Sequence, residues 1–308
     1  MSRSTAETVF PNAFIVGAPK CATTALAHYL GKHPEIAALP KEIHHFGQDL
    51  DIRMPGGRID RAAYVKRGKG LGQGAPVVLD ASVFYLASAT AAAEIHAFNP
   101  AARIIVMLRK PVDMMKSLHQ QTLKSLTEEI PDFAQALDAE TDRRQGRRIP
   151  QSAIAVNGLF YRETARYATQ LARYCAVFPR DQIHVVLYDD FRADAAAVYD
   201  EACRFLGLEP DAEVDLSPIN EAASVRSRGL VALQRSVIHR FELYRHARAV
   251  LPKSVRAPLY ALWQKALYKP LDKRPVDPAL AAAITAEFVP EVERLEGLLG
   301  RDLSAWKQ

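Results

Sequence analysis

The sequence predicts an α/β fold in which a central parallel sheet is flanked by helices. Short, uninterrupted apolar runs alternate with longer segments whose apolar residues recur at helical spacing. Uninterrupted runs are typical of strands buried on both faces, and the helices between them supply the crossovers that parallel strands need. With 49% hydrophobic and 24% charged residues among 308, the chain has the composition of a globular protein and not of a disordered one.

Four apolar runs are predicted as strands, at residues 14–16, 77–79, 104–108 and 183–187. Helical spacing predicts five helices, at residues 23–31, 87–98, 112–126, 161–178 and 195–206. Proline or glycine follows several of these helices and marks their ends. Segments 51–75 and 138–155 are rich in glycine, arginine or aspartate, and they are predicted as loops or lids.

A single domain is predicted for residues 1–308. Its nucleotide-binding core is expected at about 12–230, followed by a basic helical part at about 231–308. No clear strand is expected after residue 226, and prolines 252, 270, 275 and 278 punctuate the tail.

Several protein classes are excluded by simple counts. No apolar run reaches the roughly 18 residues of a membrane span, and the first apolar stretch is too short for a secretory signal. Three widely spaced cysteines rule out a disulfide scaffold and a cysteine-based zinc site. We therefore expect a soluble cytoplasmic protein.

The net charge of +5 is concentrated in one segment. Residues 226–274 hold 12 Lys and Arg against two acidic residues, so the remainder of the chain is mildly acidic. Such a segment favours an anionic partner. Two alternatives stay open for residues 235–274, namely a contact with the acceptor or an anionic membrane surface, for example at the inner membrane face, and a basic helical flank without a partner.

The first predicted strand runs into the loop Gly17-Ala18-Pro19-Lys20-Cys21-Ala22-Thr23-Thr24, and a helix follows. A tight turn between strand and helix directs backbone N–H groups at one point, which is a typical phosphate site. Lys20 adds a full positive charge, and Thr23 and Thr24 add hydroxyl donors. The alternative is an ordinary turn with threonine as helix cap. The pattern is not a Walker A motif, because the G-K-[ST] triplet is absent.

A second anion site is predicted at the end of the strand at 104–108. Arg109 follows this strand directly, where ligands bind in open parallel sheets, and Ser117 lies on the next helix. An arginine fork and a hydroxyl together can hold a phosphate. The two loops therefore indicate a ligand with two separate phosphates.

Here the sequence resembles a known family, the sulfotransferases that use 3′-phosphoadenosine 5′-phosphosulfate (PAPS). PKCATT resembles their PKxGTT loop, and IIVMLRKPVDMMKS resembles their second signature, LRxPxxRxxS. Weaker similarities to the bacterial and heparan-type branches lie in KEIHHF (41–46), DASVFY (80–85), YDDF (188–191), FLGL (205–208) and the loop from Asn220 to Ser227. The resemblance implies a P-loop-like sulfotransferase fold.

Three positions depart from the family pattern. Ala22 replaces the loop glycine, and because a residue with a Cβ resists positive φ, we expect the loop to adopt a conformation open to alanine. Met114 stands where an arginine is usual, and Ala81 stands where heparan-type enzymes carry a second lysine.

The resemblance also implies roles for the loop residues. Lys20 would neutralise charge on the bridging oxygen, while Cys21, Ala22, Thr23 and Thr24 would bind the 5′-phosphate. Arg109 and Ser117 would bind the 3′-phosphate, and Arg226 and Arg228 would close over the nucleotide. PAPS would be the donor and 3′-phosphoadenosine 5′-phosphate (PAP) the product, with no metal required.

The general base is left open between three neighbouring residues. Glu42 matches a glutamate that heparan-type relatives use, and His44 and His45 are rivals because histidine titrates near neutral pH. We expect His44, Asp80 and Tyr85 to line the substrate cleft. A nucleophilic role for Cys21 is disfavoured, since no adjacent base is visible.

Two other functions compete with sulfuryl transfer. A nucleotide-dependent kinase would use Asp189, which follows the strand at 183–187, to hold Mg²⁺. A non-catalytic anion- or nucleic-acid-binding module would use the aromatic residues of the basic segment. The expected partner is a hydroxyl-bearing acceptor (a sugar, a glycolipid or a small metabolite) and not a nucleic acid; no residue identifies the acceptor or the oligomeric state.

Overall fold

A five-stranded parallel sheet forms the centre of the structure, a computed structural model that describes residues 10–54, 56–217 and 276–308 and the backbone of two short strands between them. The sheet is built from β1 (Ala13–Gly17), β2 (Ile36–Ala38), β3 (Val77–Ala81), β4 (Arg103–Leu108) and β5 (Ile183–Leu187). Their order is β2-β3-β1-β4-β5, and every pairing is parallel. The predicted α/β class is therefore confirmed. The short edge strand β2 escaped the sequence analysis because three residues carry too little pattern.

Helices cover the faces of this sheet. In chain order they are α1 (Thr23–Leu30), α2 (Arg61–Gly72), α3 (Ala91–Phe98), α4 (Pro111–Lys124), α5 (Phe133–Asp138), α6 (Glu140–Arg144), α7 (Tyr161–Thr164), α8 (Tyr167–Cys175), α9 (Tyr188–Ala193), α10 (Ala195–Phe205) and α11 (Pro278–Leu299). Short 3₁₀ turns lie at Val156–Leu159, Arg180–Gln182 and Ser304–Lys307. The helix predicted over 161–178 is thus two helices, α7 and α8.

The prediction of a loop over 51–75 is wrong for about half of the segment, where α2 lies. The Asp60 side chain caps α2 by accepting a hydrogen bond from Ala63 N at 2.8 Å. The glycines that suggested a loop serve a close approach instead. A Cβ on Gly68 would lie 2.7 Å from the Phe10 carbonyl oxygen, and one on Gly72 would lie 2.5 Å from the Phe10 ring.

The loop predicted over 138–155 is also partly helical, since it contains α6. The strand β7 (Tyr268–Pro270) lies after residue 226 and pairs antiparallel with β6 (Ala223–Val225), so the expectation of no strand there is wrong. The predicted helical tail is present as α11, which begins with Pro278 after the Asp277 cap. Arg226, Arg228 and nearly all of the basic segment lie outside the described residues.

The strand order decides where a ligand can bind. β1 is paired on one side with β3 and on the other with β4. Parallel strands end at the same edge of a sheet, so the loops that follow β1, β3 and β4 emerge side by side. These loops carry the residues that the sequence singled out.

Candidate active site

Gly17, the first residue of the β1–α1 loop, is packed so closely against neighbouring residues that a side chain would not fit there. A Cβ on Gly17 would come within 2.6 Å of the Leu86 Cβ and 2.8 Å of the Val83 carbonyl oxygen. Ala18 N donates to Met107 O at 2.6 Å, which fixes the loop to β4. The tight start of the loop is therefore set by packing against the chain after β3 and by β4.

Two residues of this loop adopt left-handed backbone conformations, Lys20 at φ 64° and Ala22 at φ 66°. The expectation that alanine would force another conformation is wrong, since Ala22 takes the conformation typical of glycine despite its Cβ. Ala22 is also the N-cap of α1 and makes no side-chain cap. The first N–H groups of α1 therefore depend on another acceptor, and a phosphate is the kind of group that binds there.

Lys20 brings positive charge to the same point. Its Nζ donates to Gln121 Oε1 on α4 at 3.4 Å. Burial lowers the pKa of Lys20, and the charges of Lys124 and Arg109 lower it further. With Lys41, which also lowers this pKa, four cations lie near the β1–α1 loop, and their charge favours an anionic ligand.

Cys21 is completely buried, and its Sγ donates to the Pro19 carbonyl oxygen at 3.4 Å. Burial raises the pKa of the thiol to about 12. Because the thiolate is the nucleophilic form, this burial disfavours Cys21 as a nucleophile. At this position we expect the backbone N–H group, and not the sulfur, to contact a ligand.

Arg109 connects the end of β4 with the first loop. Its Nη1 lies 3.5 Å from the Lys20 carbonyl oxygen, and its guanidinium carbon lies 4.4 Å from the centre of the Tyr188 ring on α9. Its Nε is buried and has no hydrogen-bond partner within the described part of the chain. A buried donor without a partner is rare in folded proteins and indicates a place for an acceptor.

Ser117 lies on α4, one helical turn before Gln121 and on the same face. Since Gln121 contacts Lys20, Ser117 belongs to the side of α4 that faces the first loop. Met114, by contrast, is fully buried in the core, so the arginine usual at this position has been replaced by a packing residue. The backbone strand β6, which directly precedes Arg226, also packs against α4.

Glu42 lies in a small charged group that reaches α1. Its Oε2 lies 2.9 Å from His44 Nε2, and its Oε1 lies 3.4 Å from Lys41 Nζ. Lys41 Nζ also donates to Thr23 Oγ1 at 3.4 Å. Burial acts to raise the pKa of Glu42, but the hydrogen bond to His44 and the charge of Lys41 outweigh it, and the pKa lies below its ordinary value. Glu42 is thus a carboxylate beside the phosphate-type loop.

His45 is held away from Glu42 by packing. Its Nδ1 lies 2.9 Å from the Ile59 carbonyl oxygen, and its ring stacks on Tyr64 with the ring centres 4.2 Å apart. Asp80 and Tyr85 have no exposed surface. The expectation that these two residues line a substrate cleft is therefore wrong, because both are enclosed in a hydrogen-bonded core beneath residues 43–46. His44 is buried as well, but it touches Glu42.

Sequence reasoning missed three contributors. Lys41 and Gln121 each contact a predicted site residue, and the Tyr188 ring lies against Arg109. Gln121 could have been found from its position one turn after Ser117 on the same helix face. The Tyr188 contact has no sequence signal, since it depends on β5 lying next to β4.

Two findings concern what the described residues do not contain. Within residues 10–54, 56–217 and 276–308, no three His, Cys, Asp or Glu side chains come together in a group that could hold a metal ion. In the same ranges, no helix is both long and apolar enough to cross a membrane.

A parallel sheet whose neighbouring strands end in phosphate-type loops defines an open α/β protein with a candidate anion site at the carboxyl edge of its sheet. The chain belongs to the sulfotransferase domain family, whose model matches residues 10–227. It is similar to the crystal structure of a sulfotransferase from Alicyclobacillus acidocaldarius, with a TM-score of 0.69 and 28% identity over 98% of this chain and 100% of that one.

Two curated relatives are heparan sulfate glucosamine 3-O-sulfotransferases. The chain is 31% identical to human heparan sulfate glucosamine 3-O-sulfotransferase 6 over 124 residues, which are 40% of this chain and 34% of the relative. It is 28% identical to human heparan sulfate glucosamine 3-O-sulfotransferase 3B1 over 199 residues, 65% of this chain and 46% of that one. The chain thus spans between a third and a half of the length of these relatives.

Proposed function

We propose that the protein transfers the sulfuryl group of PAPS to the hydroxyl group of an acceptor. The observation that carries the proposal is the convergence of Lys20, Arg109 and the uncapped start of α1 beside the carboxylate of Glu42. An anion-binding loop next to a carboxylate suits a reaction in which a hydroxyl loses its proton while a phosphate leaves.

The residues fit a donor with two phosphates. The loop that leads into α1 holds Lys20 and Ala22 in left-handed conformations, and at the start of this helix the 5′-phosphate would bind with Thr23 and Thr24. Arg109, with its unpartnered Nε, and Ser117 would hold the 3′-phosphate. Arg226 and Arg228 are proposed to close over the nucleotide, on the grounds that β6, just before them, packs against α4.

PAPS supplies a sulfuryl group that is already activated by a good phosphate leaving group. Lys20 would balance the negative charge that develops on the bridging oxygen, and this electrostatic role needs no proton transfer. Glu42 would accept the proton of the attacking hydroxyl. His44 would hold the Glu42 carboxylate through the 2.9 Å contact, and Lys41 would link it to α1 through Thr23.

Glu42 is the stronger candidate for the base on geometric grounds. The Nδ1 of His45 faces the Ile59 carbonyl oxygen, and its ring is stacked on Tyr64. A general base must reach the proton that it removes, and His45 is held by its packing. Glu42, whose side chain is 29% exposed, retains access to solvent.

For the acceptor we propose a hydroxyl on a sugar or another small metabolite. The names of the relatives point to glucosamine residues of heparan sulfate, which are the acceptors of those proteins. A contact of residues 235–274 with the acceptor or with an anionic membrane surface stays a prediction. A cytoplasmic location also stays a prediction.

Ligand binding tests the donor. PAP without metal should raise the melting temperature, whereas ATP with Mg²⁺ should not. Stabilisation by ATP with Mg²⁺ alone would favour the kinase, and steeply salt-dependent binding of an oligonucleotide without any transfer would favour the binding module.

Turnover tests the base. With labelled PAPS and a panel of hydroxyl acceptors, Glu42→Gln should abolish most transfer while PAP affinity stays nearly constant, because the change keeps the shape and removes the basicity. His45→Ala serves as the comparison. If His45→Ala abolishes transfer and Glu42→Gln spares it, the histidine is the base and the assignment to Glu42 is wrong.

A further inference from the structure

Beneath the loop that carries Glu42 lies a buried polar core centred on Asp80. Its Oδ1 accepts a hydrogen bond from Ser82 Oγ at 2.8 Å. Its Oδ2 accepts hydrogen bonds from Tyr64 OH at 2.7 Å and Tyr85 OH at 3.1 Å. The side chains of Asp80 and Ser82 have no exposed surface, so these bonds are shielded from water.

The same hydroxyl groups bind the backbone of the Glu42 loop. Ser82 Oγ accepts from Ile43 N at 3.2 Å and from His44 N at 3.1 Å. Tyr85 OH accepts from His45 N at 2.8 Å and from Phe46 N at 3.3 Å. Two hydroxyl oxygens therefore accept hydrogen bonds from all four backbone N–H groups that follow Glu42.

The direction of these bonds depends on the carboxylate. A hydroxyl has one hydrogen and two lone pairs, and it can donate in only one direction. Burial raises the pKa of Asp80, while the hydrogen bonds from Tyr64, Ser82 and Tyr85 act to lower it. In its ionised form the carboxylate is an acceptor alone, so Asp80 then draws the hydrogens of Ser82 and Tyr85 toward itself and leaves their lone pairs for the loop. A group that could donate at this position would turn one hydroxyl around and place its hydrogen against the backbone N–H groups.

The hydroxyl of Tyr64 is the third that donates to Asp80, and it connects the Asp80 core to the other side of the Glu42 loop. Tyr64 donates to Asp80 from α2, and its ring stacks on His45. From outside, the Arg58 guanidinium donates to the carbonyl oxygens of His44, Phe46 and Leu50. The N–H groups of the loop thus face the Asp80 core, while several of its carbonyl groups are bound by Arg58.

We infer that Asp80 is a positioning residue for sulfuryl transfer, which sets the polarity of Ser82 and Tyr85 and thereby holds Glu42 and His44 in place. The inference rests on the proposed function, because it concerns the base assigned there. It gives Asp80 and Tyr85 a role that needs no contact with substrate. It also predicts that the chemical step, and not donor binding, depends on them.

Steady-state kinetics of two variants tests this role. Asp80→Asn keeps the size of the side chain and introduces a donor, and Tyr85→Phe keeps the ring and removes the acceptor for two N–H groups. Each should lower kcat by about 10- to 100-fold, the effect expected when a reacting group is misplaced by about 1 Å, while the KM for PAPS and the Kd for PAP change less than about threefold. Hydrogen exchange of the amides of residues 43–46 should accelerate in both.

Tyr161→Phe is the matched control. Tyr161 is also buried and also donates to a buried carboxylate, Glu128 Oε2 at 2.7 Å, but it contacts none of residues 42–46 in the hydrogen bonds described above. It should lose stability as Tyr85→Phe does and keep its kcat. If Asp80→Asn does not fold, Tyr85→Phe and Tyr161→Phe still decide the comparison.

The outcomes separate the two claims. Unchanged kcat and amide exchange in Asp80→Asn and Tyr85→Phe, with transfer by the unaltered protein intact, would overturn the positioning role alone. A parallel loss of kcat in Tyr161→Phe would show that general stability and not loop position is responsible. A rise in the KM for PAPS equal to the fall in kcat would show that the two residues act on donor binding, and would overturn the positioning role. Failure of the unaltered protein to transfer sulfuryl to any acceptor would overturn the proposed function and, with it, this inference.

Discussion

Replacing Ala22 by glycine should be tolerated much better than the same replacement three residues later. Ala22 adopts φ 66°, and a left-handed conformation costs an L-residue about 1–2 kcal/mol that glycine does not incur. Glycine also loses the alanine methyl and gains freedom in the unfolded chain, and these two effects together oppose the relief by about 1 kcal/mol. The net change in the free energy of unfolding should lie between zero and a gain of about 1 kcal/mol.

Ala25 provides the matched comparison. It lies in the first turn of α1 and, like Ala22, is partly buried against the same core. Ala25→Gly loses the same methyl and gains the same unfolded freedom without relief of a left-handed conformation, so it should destabilise by about 1 kcal/mol. The free energies of unfolding of the two variants should therefore differ by about 1–2 kcal/mol.

Urea unfolding measures both variants. Their midpoints can be compared directly if the dependence of the free energy on urea is unchanged between them. PAP titration of the same samples then shows whether the loop keeps its shape, because affinity should remain close to that of the unaltered protein. Equal destabilisation by the two substitutions would refute the assignment of a left-handed conformation to Ala22.

Four further predictions follow from the site and the core. Lys20→Ala should lower kcat by roughly two powers of ten with a smaller loss of PAP affinity, and turnover above half that of the unaltered protein would contradict its role. Arg109→Ala should weaken PAP by about 2 kcal/mol in calorimetry and adenosine 5′-phosphosulfate far less, since the latter lacks the 3′-phosphate. The acid limb of the kcat–pH profile should lie below the ordinary Glu42 pKa of 4.5, because His44 and Lys41 outweigh the effect of burial. The alkaline limb should lie below the ordinary Lys20 pKa of 10.5, because burial lowers the pKa of Lys20. An acid limb near neutrality that is lost in His44→Ala would argue for a histidine base. Glu128→Gln should cost about 3–5 kcal/mol in urea unfolding, because the fully buried Arg143 guanidinium, which bonds both Glu128 oxygens at 2.9 and 2.8 Å, would lose its counter-charge.

Much of the fold could be predicted from local pattern. The apolar runs at 14–16, 77–79, 104–108 and 183–187 became β1, β3, β4 and β5, because strands buried on both faces leave uninterrupted apolar residues in the sequence. The helix α2 could not be predicted in this way. Its glycines at 68 and 72 lower helix propensity, and only the approach of Phe10 explains why they are there.

The phosphate-type loops could also be predicted from the sequence, because Gly, Lys and Thr residues that follow a strand within a few positions indicate an anion site. The backbone conformation of that loop was not. Local preference argues against positive φ at Ala22, and the structure overrides it, as Gly17 is packed against Leu86 and Ala18 is hydrogen-bonded to β4. A preference of about 1–2 kcal/mol is small beside such tertiary constraints.

The sequence by itself therefore determined the α/β class, the family and the two anion-binding loops, because these depend on residues that are close together along the chain. Tertiary structure decided which of the polar residues at 42–45 and 80–85 face a ligand and which are buried. Asp80 and Tyr85 carry groups that suit a cleft equally well, and their enclosure follows only from the packing of α2 and the Glu42 loop over the end of β3. Burial depends on contacts between distant segments. The sequence alone therefore does not distinguish a hydroxyl or carboxylate that faces a substrate from one that binds the backbone of its own protein.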